Sequence, residues 1–156
     1  MKKLWSFELV LALLALLFIA LLTLIIACNS KKATTTMMES NQPLNNTYWK
    51  LLKVDGFNQD IAGLQKEAFI RFDSAGSKFS GTAGCNRMMG TFIATGNTIK
   101  IGPSAATRMM CPSPLMELET AFEKAIGKAD TYNIAGKKLQ LKSGESVLAE
   151  FVAGNN

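Results

Sequence analysis

The sequence predicts a mainly β domain of the α+β class: an antiparallel, barrel-like sheet of about seven or eight short strands with one packed helix. Three observations point there. Between Tyr48 and Val152, short alternating or apolar runs recur between turn signals such as Asp55-Gly56 and Gly96-Asn97. One stretch, from Leu115 to Lys128, breaks that rhythm with apolar residues at helical spacing. The 156 residues are 48 % hydrophobic and 19 % charged, which fits one packed domain with an apolar leader rather than a disordered chain. Hairpins in series favour closure, because a closed sheet has no unpaired edge.

The chain opens with Lys2 and Lys3, and Leu9 to Ala27 then runs without a charge. A positive start, an apolar stretch and a small residue before a Cys describe an export signal. Ile25-Ile26-Ala27-Cys28 resembles the lipobox of bacterial lipoproteins, with Ile25 where the pattern prefers Leu. The resemblance implies that residues 1–27 are a signal peptide and that Cys28 is lipidated. It also implies a cell-envelope location, held to membrane lipid by acyl chains. Asn29 follows the Cys, and in a host with two membranes this resembles outer-membrane sorting, with the domain facing the periplasm. The alternative is an uncleaved helix, since the apolar run nearly suffices to span a bilayer. Lys31 and Lys32 beyond it oppose the usual orientation bias. From Cys28 to Asn46 the chain reads as a lipidated Cys and flexible tether, with Ser, Thr, Asn, Gln and Pro43 and no periodic apolar face.

Each later element has its own signal. Tyr48, Trp49, Leu51, Leu52 and Val54 make a first strand, ended by Asp55-Gly56. A polar connection leads to the alternating residues Ala68, Ile70 and Phe72 and the turn Asp73-Ser74-Ala75-Gly76. Lys78 to Ala83 and Met88 to Thr95 follow. Thr98 to Ile101 pairs back across Gly96-Asn97, and Gly102-Pro103 ends it. Ser113 is placed to cap a helix, with Pro114 at its first position. Leu115, Leu118, Phe122, Ala125 and Ile126 form its apolar stripe, and Glu117, Glu119, Glu123, Lys124 and Lys128 cover its other faces. That helix is expected to close one side of the sheet. Tyr132 and Ile134, Leu139 and Leu141, and Val147 to Val152 supply the closing strands.

The central block carries a family signature. Ser80-Gly81-Thr82-Ala83-Gly84-Cys85-Asn86-Arg87 resembles the G-x-x-G-C-N motif of the META domain of HslJ-like bacterial lipoproteins. Met89-Gly90-Thr91-Phe92 matches the short motif that follows it. Thr107-Arg108-Met109-Met110-Cys111 resembles the family's T-x-M-x-C motif, with Met110 where Ala is frequent. The resemblance covers residues 47–156. It implies a non-enzymatic role in envelope integrity or in stress and antibiotic tolerance, with an envelope protein or peptide as a candidate partner. The second reading is a peptide- or lipid-binding module, with a Met-rich groove beside Gly81, Gly84, Asn86, Arg87, Gly90, Thr107 and Met109. Physically, the glycines allow close backbone approach or a tight corner, and Asn86 can cap its own turn. Arg87 can pin an acid or face a ligand. A purely structural corner is the plainer reading of the motif. With Cys28 lipidated, Cys85 and Cys111 remain, and an exported pair points to a disulfide. Two buried thiols are the alternative.

Composition narrows the chemistry. No His is present, which excludes a Ser-His-Asp triad and His-containing zinc sites. Two Cys without further ligands make a poor metal site, and no Gly-rich phosphate loop precedes a helix. No catalytic residue, metal or cofactor is therefore expected. Setting aside Lys2, Lys3 and Glu8 from 17 basic and 12 acidic residues leaves 15 against 11, a mild formal charge of +4. The basic residues are scattered, so no nucleic-acid partner is expected. Met88, Met89, Met109, Met110 and Met116 either line an adaptable groove or fill an irregular core.

Overall fold

The computed structural model describes residues 11–17, 40–75 and 77–155. The chain divides into two compact units, Met1–Met37 and Met38–Asn156. In the first, residues 11–17 are helical. Signal cleavage, the lipidation of Cys28 and the tether before residue 40 lie outside the described residues. Among the described residues no helix is long and apolar enough to cross a membrane.

The second unit has the expected mainly β architecture. Its strands are β1 (Tyr48–Val54), β2 (Ala68–Asp73), β3 (Lys78–Ala83), β4 (Arg87–Thr95), β5 (Thr98–Ala106), β6 (Thr131–Ala135), β7 (Lys138–Ser143) and β8 (Ser146–Gly154). Each pairs antiparallel with the next, and β8 returns to β1, so the barrel closes in sequence order. Alternation chooses the inner face: Trp49, Ile70, Phe72, Phe79, Met88, Leu139, Leu141 and Phe151 are all essentially sealed from solvent. Burial of each such side chain is worth about 1.5 to 3 kcal/mol. A slip of one residue would turn each inward set outward, so the pattern fixes the register. The ring is uneven. β5 and β6 meet through one register pair, Thr98 with Thr131, whereas β2 and β3 run paired along their whole length.

β5 extends further than its sequence suggests. Gly102-Pro103 does not end it, and the strand continues to Ala106. Gly90 pairs with Ser104 and Phe92 with Ile101, so Thr91 alone faces both Gly102 and Pro103. Such a bulge accommodates a residue without an amide N–H. The extension delivers Thr107 to the corner between β3 and β4.

The helix spans Leu115–Lys128. Its start differs from the expectation. Pro114 is the cap residue rather than the first helical one, and no side chain caps the helix. The Ser113 hydroxyl instead donates to the Glu117 carboxylate, a partner one turn away that competes with the backbone amides. Leu118, Phe122, Ala125 and Ile126 are buried as the stripe predicts, but Glu119, assigned to a covering face, is buried with them. The helix touches β1, β3, β5, β7 and β8, which are spread around the ring. It therefore plugs one mouth of the barrel rather than closing one side of a sheet. Phe122 meets Phe151 of the barrel wall edge-on, with ring centres 6.1 Å apart.

The opposite mouth is crossed by the incoming chain. Gln42 N–H donates to the Gly136 carbonyl at 2.9 Å, and Asn46 N–H to the Phe72 carbonyl at 2.7 Å. Between them Leu44 is buried, and Trp49 Nε1 donates to its carbonyl at 2.9 Å. The sequence reading assigns residues 42–46 to the tether, but the structure seats them on the barrel. One Leu among polar neighbours carries no periodic signal, yet it is enough to cover the mouth.

Candidate functional site

The two motifs meet at the helix-plugged end. Gly84, Cys85 and Asn86 form the corner between β3 and β4, and Thr107 to Cys111 follow β5. Cys85 and Cys111 are joined by a disulfide, with Cα atoms 6.2 Å apart. Asn86 is 1 % exposed and uses its whole side chain. Its Oδ1 accepts from the Thr107 hydroxyl at 2.8 Å and from Met109 N–H at 2.7 Å. Its Nδ2 donates to the Glu119 carboxylate at 2.9 Å and to the Met109 carbonyl at 3.1 Å. Two lone pairs and two N–H groups are thus all satisfied. The Asn86 backbone N–H gives Glu119 a second bond at 2.9 Å. The Thr107 hydroxyl also accepts from Arg87 N–H at 3.1 Å. One asparagine therefore ties the corner, the β5 extension and the helix together. It does not cap its own turn.

The motif glycines have separate tasks. A Cβ on Gly81 would lie 2.5 Å from the Phe69 carbonyl oxygen, and one on Gly90 would lie 2.6 Å from the Phe79 ring and 2.7 Å from the Pro103 carbonyl oxygen. Both sit within strands of the barrel wall. Gly84 turns the corner at φ +94°, a conformation side chains rarely adopt. Substituting Gly81→Ala drives a methyl group into the backbone of β2, and a loss of about 2 to 3 kcal/mol is expected. Chemical denaturation reads this as a lower midpoint at unchanged slope.

Two clefts flank the knot, with Thr107 and Met109 bordering both. The first, about 420 Å³, lies towards the helix and includes Arg108, Met110, Met116 and Glu123. The second, about 650 Å³, lies over β2, β3 and β4 and includes Lys66, Phe69, Arg87 and Met89. The methionines divide accordingly. Met88 is core, whereas Met89, Met109 and Met116 reach solvent and Met110 is almost wholly exposed. On the rim of the second cleft, Tyr48 Oη donates to Glu67 at 2.6 Å and Lys50 Nζ lies 2.5 Å from the same carboxylate. The bond from Lys50, then that from Tyr48, holds Glu67 below its usual range. Among the described residues no group of three His, Cys, Asp or Glu is placed to hold a metal.

A META domain profile matches residues 42–155, the barrel together with the segment that crosses its mouth. The chain belongs to the META domain family. The match begins before Thr47 and so includes Leu44, in agreement with the packed segment. An NMR structure of a protein from Burkholderia xenovorans is 24 % identical, with a TM-score of 0.60. That similarity covers 72 % of this chain and 85 % of the other. A second NMR structure is 23 % identical, with a TM-score of 0.52, covering 68 % of this chain and 88 % of the other. These likenesses show the fold. No curated protein matches the chain.

Within this META domain the structure gathers Gly84, Cys85, Asn86, Arg87, Thr107, Met109 and Cys111 at one corner. Gly81 lines the second cleft from within β3, Gly90 is left in the wall, and Cys28 lies outside the described residues. Glu119 is the site residue that the sequence reading misses. It stands four residues after Leu115 and three before Phe122, so it lies along the apolar stripe itself. A carboxylate in that line signals a buried acid with a dedicated donor.

Proposed function

We propose that this META domain chain is a lipid-anchored envelope protein with a non-enzymatic role in surface integrity or stress tolerance. One observation carries the reading. The motif corner spends its polar atoms on its own closure: Asn86 is saturated by Thr107, Met109 and Glu119, and a disulfide locks the same loop. Groups committed in this way stabilise a fold, whereas catalysis needs groups aimed at a reacting atom. A disulfide also suits an oxidising compartment outside the cytoplasm, as the Cys28 leader implies. Acyl chains on Cys28 then hold the domain at the membrane, stably if two or more are present.

The test is genetic. Deletion in the native host is expected to raise susceptibility to detergent and to cell-wall antibiotics. Wild-type chain restores tolerance, and a Cys28→Ser chain does not. A deletion strain with unchanged tolerance removes the envelope role, and equal rescue by Cys28→Ser removes the need for the anchor.

A second reading has its own support. The cleft over β2 to β4 joins the apolar surface of Phe69, Met89 and Met109 to the cations Lys66 and Arg87, with the Glu67 carboxylate engaged by Lys50 and Tyr48 on its rim. Adaptable thioethers beside positive charge suit an acidic amphipathic peptide or a lipid. Binding that is lost in Met89→Asp, with the thermal midpoint unchanged, supports this reading. Binding of equal strength in that variant removes it.

A further inference from the structure

The two mouths of the barrel differ in charge. The helix-plugged mouth carries Asp55, Glu117, Glu123, Asp130 and Glu145 among its lysines and arginines. The opposite mouth is formed by the β2–β3 turn, the β6–β7 turn and the incoming segment 42–46. Among the described residues it carries Arg71, Lys78, Lys137 and Lys138 against one acid, Asp73. Asp73 is partly engaged within its own turn, where it accepts the Ala75 N–H at 2.8 Å. A polar cleft of about 580 Å³ opens at this end, with Arg71, Lys137, Tyr48 and Asn46 on its walls.

We propose that this basic mouth is a docking face for an anionic phospholipid surface. It rests on the lipid-anchor reading above. The chain enters the domain here, through Asn41 Oδ1 accepting from Gly136 N–H and through Asn46 on Phe72. A tether from a membrane anchor therefore delivers this mouth to the headgroups first. Lysines and arginines near a negative leaflet are each attracted by it, over a distance set by the Debye length. The cleft offers Arg71 to a phosphate. The opposite mouth, with the Asn86 knot and both methionine clefts, then faces away from the bilayer. Orientation is thus built into the fold: one end binds the membrane surface and the other is presented outward.

The test uses the acylated mature chain, from Cys28 onward, in vesicles that contain a headgroup-attached quencher. One fluorophore sits at Ala75→Cys on the basic mouth and another at Ser146→Cys near the helix. With roughly 30 % phosphatidylglycerol, the Ala75 probe is expected to be quenched at least about twofold more than the Ser146 probe. The difference disappears at about 0.5 M salt and in Arg71→Glu/Lys138→Glu, whose two positions are exposed. Equal quenching at both ends, or an asymmetry indifferent to lipid charge, overturns the docking face. The anchor is read separately, as retention on neutral vesicles at high salt. Release there overturns the anchor alone, and orientation is then judged on anionic vesicles by the same twofold criterion.

Discussion

Replacing Asn86 with Leu is expected to destabilise the domain by about 3 to 5 kcal/mol, a loss typical of breaking a buried polar partnership on one side only. Four bonds disappear with the amide. The Glu119 carboxylate keeps only the backbone N–H of residue 86, and the Met109 N–H and carbonyl each lose their bond to the Asn86 side chain. A thermal melt should fall by roughly 10 to 20 °C for a domain of this size. The companion variants decide the cause. Glu119→Leu alone removes the acceptor but leaves Asn86 bonded to Thr107 and Met109, so its cost is smaller. In the double variant no carboxylate remains to be stranded, and the cost falls below the sum of the two singles. Strict additivity would mean that Asn86 and Glu119 do not act as a pair.

Reduction of Cys85–Cys111 is expected to cost roughly 3 to 4 kcal/mol by chain entropy, from a sequence separation of 26 residues. The closed loop contains all of β4 and β5, so opening it enlarges the unfolded ensemble without removing a strand. It also frees the segment that presents the Met109 backbone to Asn86. Melting with and without reductant should differ by about 10 to 15 °C. A Cys85→Ser/Cys111→Ser variant should melt like the reduced protein and no longer respond to reductant. Identical melts in both conditions would place the loop's stability in the Asn86 network alone.

Much of this was legible in sequence for physical reasons. Inward alternation in β2 and β7, turns such as Gly96-Asn97 and the stripe from Leu118 to Ile126 are local signals, and each corresponds to an observed element. The misses share one cause, which is that each depends on a partner in another element. Glu119 looks like one of several helix-surface acids until the corner at Asn86 folds against it, 33 residues away. Gly102-Pro103 reads as a stop until Thr91 opposite shows a bulge. Leu44 reads as tether until Trp49 binds its carbonyl and the mouth buries its side chain. The candidate site was half visible. The two motifs and the cysteine pair could be read directly, whereas the helix carboxylate that joins them was signalled only by its place in the apolar stripe, without its partner.

The central claim is an exported domain, locked by its disulfide and held to a membrane through Cys28. Intact mass of the gene product from its native membrane fraction, with thiols alkylated before and after reduction, tests it most directly. The account predicts a chain that starts at Cys28, carries acyl mass, and exposes two thiols only after reduction. A chain that retains residues 1–27 without acyl mass, or that alkylates at Cys85 and Cys111 before reduction, would contradict it.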